Sequence, residues 1–178
     1  KNLYKKTNSP QHTPRNRFLN YQSPEVLKNI PINPKLQSFM DLDINPLTNK
    51  LDVHHNHLID FKGLPSLQNL EELNCSNNNI SSLYRFPCLP KLKKIKISNN
   101  PFSLTKNYRI SLIIVCPSLQ IIDRETVTID ERLLAREFDI ECYDLIVMGW
   151  ILEFPPPTKA QIIDIKKNLA NGSLKSRD

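Results

Sequence analysis

The sequence predicts an α/β solenoid, a fold in which short strands from successive repeats pair into one parallel sheet. Three observations predict it. A pattern of apolar residues and one asparagine occurs three times, the copies follow one another at a constant spacing, and apolar residues between the copies recur at matching offsets. One unit of this size cannot bury its own apolar face, so the copies must stack and the ends of the stack need caps.

The three copies align on Asn56, Asn78 and Asn100. They read TNKLDVHHNHL from Thr48, LEELNCSNNNI from Leu70 and LKKIKISNNPF from Leu92. In each copy a short strand with alternating apolar residues is followed by a turn that contains the asparagine. An amide side chain both donates and accepts hydrogen bonds, so it can pair with backbone groups of a buried turn. The asparagines are therefore predicted to be structural.

Residues 48–137 resemble short intracellular leucine-rich-repeat proteins with 22-residue repeats and a C-terminal cap. The copies fit the template LxxLxLxxNxL. Leu119 and Ile122 return at strand spacing, but more than one repeat length after Leu92 and Ile95, which leaves room for a helical insertion at 107–115. The cap resemblance rests on Asn100-Pro101, Tyr108-Arg109, Cys116-Pro117, Leu119, Ile122-Asp123, Val127 and Glu131-Arg132. Phosphatase-regulatory, spliceosomal, axonemal, ciliary and centrosomal proteins share this pattern. The resemblance implies a protein-binding surface without catalysis.

Three segments are expected: an extended basic, proline-rich arm at 1–47, the repeat domain with its cap at 48–137, and a helical extension at 138–178. The predicted fold is thus a short leucine-rich-repeat domain of about three repeats plus a cap, with two extensions. Residues 1–35 contain seven basic residues, one acid and five prolines. Such a segment buries too little apolar surface to offset its chain entropy. Because the chain does not begin with Met, we expect it to be part of a longer protein.

Two capping boxes predict helices beyond the repeats. Thr128 with Glu131 begins one helix at Ile129, and Thr158 with Gln161 begins another that ends near Asn171. Three apolar residues are expected to cover the open end of the core: Ile129, Leu133 and Phe138. The segment 144–154 is apolar nearly all round and is followed by three prolines, which end any helix. We expect it to fold back under the repeats, or to meet a partner, with Trp150 as its anchor.

The candidate partner-binding residues lie on the strands and in the arm. Strand residues predicted to face the concave side include Lys50, Asp52, His54, Glu72, Asn74, Lys94 and Lys96. The arm contributes Lys5, Lys6, Arg15 and Arg17, and the extension contributes Trp150. The face is polar and mixed in sign, so it is either a binding surface or an ordinary solvated sheet face. The run KLKKIK, with Arg85, makes the last full repeat locally basic and suited to an acidic protein surface or a phosphate.

Catalytic residues, cofactors and a metal site are not predicted. His54, His55 and His57 are the residues most suggestive of zinc, but neighbouring strand residues point to opposite faces and no nearby set completes a tetrahedral site. The four cysteines are widely spaced, which favours a reducing compartment over a disulfide framework. The start is polar, unlike a signal peptide, and no apolar run is long enough to span a membrane.

These features predict a non-enzymatic protein–protein interaction scaffold within a larger assembly. A structural role in the cytoskeleton or axoneme is favoured, with tubulin or other axonemal proteins as partners of the basic arm. The alternatives are a nuclear ribonucleoprotein or phosphatase-regulating adaptor and a metal-dependent activity at the histidines. Nucleic acid is a poor candidate partner because aromatic residues do not interleave with the basic ones. The expected location is the cytoplasm, in the cytoskeleton of a cilium or flagellum, with the nucleus as the alternative.

Overall fold

The computed structural model describes residues 26–27 and 35–172, which form one six-stranded sheet with helices behind and beyond it. The strands are β1 (Val26–Leu27), β2 (Lys50–Asp52), β3 (Glu72–Asn74), β4 (Lys94–Lys96), β5 (Ile121–Ile122) and β6 (Glu125–Thr126). The helices are α1 (Tyr108–Val115), α2 (Ile129–Arg136), α3 (Glu141–Val147) and α4 (Lys159–Ala170). Short 3-10 helices cover Phe39–Asp41 and Pro101–Leu104. The strands lie in chain order, and all neighbours are parallel except β5 and β6.

The strand register reproduces the spacing of the repeats. Leu51 pairs with Leu73, Leu73 with Ile95, and Ile95 with Ile122, so the first two offsets are equal and the last is longer. These four side chains are at most 2% exposed and form the centre of the core. The longer last offset accommodates α1, as the sequence predicts.

A ladder of buried asparagines connects the repeats. Asn78 Oδ1 accepts a hydrogen bond from Leu58 N at 3.0 Å, and its Nδ2 donates to carbonyls of both its own repeat and the one before, at 3.0 to 3.2 Å. Asn100 does the same with Ile80 N and with the carbonyls of Cys75 and Ile97. Each amide therefore pairs turn groups that stacking removes from water. The structural role predicted for the asparagines agrees with these contacts.

The turn after each strand uses a left-handed residue. His55, Asn77, Asn99 and Asp123 have φ of 57°, 56°, 57° and 59°. Asparagine and aspartate tolerate this region better than other residues with a Cβ. His55 is thus the poorest fit among the three equivalent positions 55, 77 and 99, whereas Asp123 lies in the tight turn between β5 and β6.

Replacing His55 with asparagine should stabilise the protein by about 0.5 to 1 kcal/mol, because the left-handed turn is less strained with asparagine. The side chain of His55 is exposed, so packing changes little. Thermal melting of the full chain would measure the gain, and His57→Asn, an exposed histidine outside the left-handed region, is the matched control. An equal gain in the control would contradict the strain argument.

The N-terminal edge of the core begins before the predicted boundary at residue 48. Leu36 and Phe39 are 2% and 0% exposed, and Leu36 N donates to Asn56 Oδ1 at 2.9 Å. The ring of Phe39 stacks on that of Phe61 at 6.0 Å. Gly63, with φ of 91°, lies against the backbone of Met40, where a Cβ would collide. Residues 35–47 are therefore packed against the first repeat instead of extending as an arm, whereas residues 1–25 and 28–34 lie outside the described residues.

The C-terminal cap is held by charged groups. Asp123 Oδ1 accepts from Ile97 N and Ser98 N, both at 2.8 Å. In the repeat before, the amide equivalent to Ile97 N is Cys75 N, which donates to Lys96 O in the next strand, and the amide equivalent to Ser98 N is Ser76 N, which donates to Asn74 Oδ1. Arg109 pairs with Glu131, and Arg132 donates to the carbonyls of Pro117 and Leu119. The Arg109 guanidinium lowers the pKa of the Glu131 carboxyl below its ordinary value, against the opposing effect of burial.

The predicted helix at Ile129 is present with its capping box, but its orientation differs from expectation. Ile129 and Leu133 are 78% and 53% exposed, and α2 contributes no buried residue to the core. Its inward side carries Glu131, Arg132 and Ala135, all half-buried. The hydrogen bonds of Glu131 and Arg132 determine which side faces the cap. Of the three residues expected to close the core, Phe138 alone is buried.

We expect Glu131→Gln to lower the free energy of unfolding at pH 7 by about 1.5 to 3 kcal/mol, the range for hydrogen bonds to charged groups. Because the folded pKa of Glu131 is lowered, its stabilisation is present above the unfolded pKa of about 4.3 and is lost as pH falls through the folded pKa. The difference between parent and variant should therefore shrink below about pH 4. Urea denaturation across pH 3 to 7 would measure it. Glu125→Gln, whose carboxyl is 78% exposed, should show little difference at any pH.

The extension packs against the repeats, as predicted. Leu145, Ile146 and Leu152 are at most 2% exposed, and Val147 O accepts a hydrogen bond from Arg85 N at 2.9 Å. The apolar run is not one helix, since α3 ends at Val147 and Gly149 follows with φ of 102°. Trp150 is half-buried, so Leu145, Ile146 and Leu152 anchor the segment to a greater extent.

The last helix agrees with the sequence-based boundaries. Thr158 and Gln161 form a capping box, and α4 ends at Ala170 before Gly172, whose φ is 65°. Lys166 joins α4 to α3 through Glu141 at 2.7 Å. Across the described part of the chain, helices of sufficient length and apolar character to cross a membrane are absent.

Candidate protein-binding surface

The side of the sheet opposite the core is lined by polar strand residues, here called the outer sheet face. It comprises Lys50, Asp52, His54, Glu72, Asn74, Ser76, Lys94, Lys96 and Ser98. Alternate strand residues point to opposite sides, so burial of Leu51, Leu73 and Ile95 directs their neighbours outward. The structure places the predicted strand residues together on this face.

A first row of charges crosses three repeats. Glu72 lies 3.3 Å from Lys50 on one side and 3.3 Å from Lys94 on the other. Partial burial alone would raise the pKa of Glu72, but its hydrogen bonds to Lys94 and Lys50 outweigh that effect and lower the pKa. The row continues to Ile121, which pairs with Lys94 in the sheet. Ile121 was not among the residues predicted for this face. Its position could have been found from the sequence, because Ile121 lies as many residues after Lys94 as Ile122 lies after Ile95.

A second row contains Asp52, Asn74 and Lys96, which are aligned by the strand register. Asp52 contacts His54 Nδ1, and Asn74 Oδ1 accepts from the Ser76 hydroxyl at 2.8 Å. Lys96 is exposed and makes no ion pair with any residue that the structure describes. The outer sheet face therefore offers one ammonium group that lacks a counter-charge within the described chain.

The lysine run is less basic in three dimensions than it is in sequence. Lys91 donates to Asn69 at 3.0 Å, Lys93 pairs with Glu71 at 3.1 Å, and Lys94 pairs with Glu72. Each partner lies one repeat earlier in the chain. Arg85 contacts the extension and stacks over Tyr84 at 5.3 Å instead. Lys91, Lys96 and Arg85 thus keep charges that no acid of the described chain compensates, and of these Lys96 alone lies on the outer sheet face.

The histidines do not converge on one point. His54 contacts Asp52, and its ring lies 5.0 Å from that of His55 in an edge-on arrangement, while His57 is exposed. Over residues 35–172, three or more His, Cys, Asp or Glu side chains do not come together as a metal-binding group.

Other candidate residues lie elsewhere. Trp150 packs beside the core with the extension and is not a strand residue of the outer sheet face. Lys5, Lys6, Arg15 and Arg17 fall outside the described residues.

Parallel strands in register and a ladder of buried asparagines are features of a leucine-rich-repeat fold. Residues 68–109 match the family model described as Leucine Rich repeats (2 copies). Residues 68–109 therefore contain leucine-rich repeats. The crystal structure of the Drosophila melanogaster SNF/U2A' complex contains a similar chain, with 22% sequence identity over 75% of this chain and 85% of that chain and a TM-score of 0.37. No curated protein matches the chain.

Proposed function

We propose that this protein is a non-enzymatic scaffold that binds another protein through the outer sheet face. Leucine-rich-repeat domains are typically interaction modules, and the observation that carries the proposal is the uncompensated Lys96 on a face where the neighbouring charges are paired. Paired charges contribute mainly specificity, because a partner must match their alternating signs. An unpaired ammonium instead gains a counter-charge on binding.

The chemistry of this face specifies the partner. A carboxylate near Lys96 would be stabilised by Lys96 and by Lys94 beside it, whereas a basic group there would be repelled. Ile121, half-exposed at the end of the first row, supplies an apolar contact next to these lysines. The expected partner surface therefore combines an acidic side chain with an apolar one.

Lys96→Glu should abolish or strongly weaken partner binding, since it places like charge against the partner's acid. Lys106→Glu is the matched control, because Lys106 is also exposed but lies just before α1 and is not a strand residue. The full chain, carrying a photo-crosslinker in place of Asn74, would be irradiated in its own cells and its adducts compared between the two variants. An adduct that persists in Lys96→Glu contradicts the assignment to this face.

The partner class is proposed from sequence. We favour an acidic cytoskeletal lattice such as assembled tubulin, in a cytoplasmic or axonemal location, because the positive charge of the chain is concentrated in residues 1–35. A nuclear ribonucleoprotein or phosphatase-regulating assembly is the alternative. Co-sedimentation of the full chain with microtubules, and its release by added salt, would support the first. No co-sedimentation at low salt would contradict it.

A further inference from the structure

Helix α2 presents apolar side chains to solvent, whereas the apolar side of a surface helix usually faces the core. Ile129 and Leu133 lie one turn apart on its outward side at 78% and 53% exposure, with Leu134 at 40% beside them. Ile140, shortly after the end of the helix, is 87% exposed. We call these four residues the α2 outer face. Apolar side chains gathered in this way are a common mark of a binding surface.

Rotation of the helix cannot bury the α2 outer face. The inward side is fixed by Arg109 with Glu131 and by Arg132 on the carbonyls of Pro117 and Leu119, at 2.9 and 2.5 Å. Turning α2 would break these charge-assisted hydrogen bonds and expose the last turn of the repeats. The outward apolar residues are therefore a stable feature of the folded cap.

Carboxylates surround this face. Asp130 lies in α2 and Glu137 directly after it, and both are exposed; Asp139 follows two residues later. None of these three carboxylates makes an ion pair within the described chain. Residues 124–147 carry seven acids and three bases, in a protein whose net charge is +6, and four of those acids pair with Arg109 or Lys166. A ligand for the α2 outer face should accordingly combine apolar and basic side chains.

We propose that residues 1–25 of this chain dock on the α2 outer face. One cluster there has the required chemistry, since Leu3 and Tyr4 lie between Lys1 and Lys5-Lys6. Residues 1–25 contain five basic residues against Glu25 alone. The length is sufficient for Tyr4, because α2 lies past β6, five strand spacings of about 4.8 Å from β1, and the segment between Tyr4 and β1 extends up to about 70 Å. Phe18 is too close to β1 to reach α2, since the segment between them extends to at most about 26 Å.

The test uses the full chain with p-benzoylphenylalanine in place of Tyr4. After irradiation, mass spectrometry should map the cross-links to residues 129–140. Ile129→Ser with Leu133→Ser should reduce their yield by about tenfold, because two apolar contacts are lost. Leu104→Ser, which changes an 86% exposed residue before α1, should leave the yield unchanged.

The exposed positions of these substitutions keep folding intact, which thermal melting of each variant would verify. Lys5→Glu with Lys6→Glu in the Tyr4 protein should also lower the yield, as should salt at about 0.5 M, because both weaken the attraction to the carboxylates. Cross-links from one copy to residues 129–140 of another would support the same docking between molecules. Cross-links confined to the outer sheet face, or a yield that Ile129→Ser with Leu133→Ser leaves unchanged, would overturn the proposal.

Discussion

Replacing Asn78 with leucine is expected to lower the free energy of unfolding by about 3 kcal/mol, since the buried groups it leaves unpaired cost about 1 to 3 kcal/mol each. Asn78 is 5% exposed and receives the Leu58 amide while donating to the carbonyls of Val53, Cys75 and Ser76. Leucine fills a similar volume but forms none of these bonds. Urea denaturation followed by circular dichroism would measure the loss.

The matched control is Asn79→Leu. Asn79 is the next residue in the chain, and its side chain is exposed. Its backbone amide, which donates to Leu58 O at 2.8 Å, is retained in the variant. We expect a change within about 0.5 kcal/mol, as for most surface substitutions. Equal destabilisation by the two variants would contradict the buried ladder.

Phe39→Ala is expected to destabilise the protein by about 3 to 5 kcal/mol, the usual cost of removing a fully buried aromatic ring. Phe39 is 0% exposed and lies between the first repeat and the N-terminal edge, where it stacks on Phe61. Phe61 in turn contacts Phe86 at 4.8 Å, so the three rings connect successive repeats. The cavity would weaken the N-terminal closure of the core.

This experiment also distinguishes a packed N-terminal unit from an extended arm. If residues 35–47 belonged to a solvated arm, Phe39→Ala would leave the denaturation midpoint unchanged. Met40→Ala, at a neighbouring residue that is 65% exposed, is the control and should have little effect. A large loss in the first variant and a small loss in the second would establish the boundary near residue 35.

The two proposed surfaces differ in chemistry and lie on different elements. The outer sheet face is polar and carries Lys96, whereas the α2 outer face is apolar and surrounded by acids. Substitutions on one should leave the other intact, because they share no residue or hydrogen bond. A protein partner on the sheet and residues 1–25 on the cap can therefore be tested with separate variants.

The repeat itself could be predicted from sequence because its determinants are local. Alternation of apolar residues marks the strands, Asn78 and Asn100 mark the turns, and the constant offset sets the register. Thr128 and Thr158 likewise specify helix starts, since a capping box satisfies amides in the first turn beside it. For these elements the interacting groups are close together in the chain or repeat at a fixed period.

The packing of residues 35–47 could have been predicted from the repeat spacing, but their composition favoured the opposite prediction. Leu36 and Phe39 precede Leu58 and Phe61 by one repeat length, so the offset of the repeats extends to them. Prolines and basic residues nearby favoured an extended arm, and β1 precedes β2 by slightly more than one repeat length. Contact with Asn56 and Phe61 decided the burial of this unit.

Tertiary structure alone decided which charges of the candidate sites are paired and which side of α2 is exposed. The lysine run looks basic in sequence, but stacking places Lys93 and Lys94 beside Glu71 and Glu72, one repeat away, and leaves Lys96 without such a partner. On α2, the apolar period predicted an inward Ile129 and Leu133. The cap instead supplies Arg109 and two carbonyls to Glu131 and Arg132, and these charge-assisted bonds orient the helix. A one-dimensional pattern specifies which residues share a face, whereas the partners brought by folding determine which face is buried.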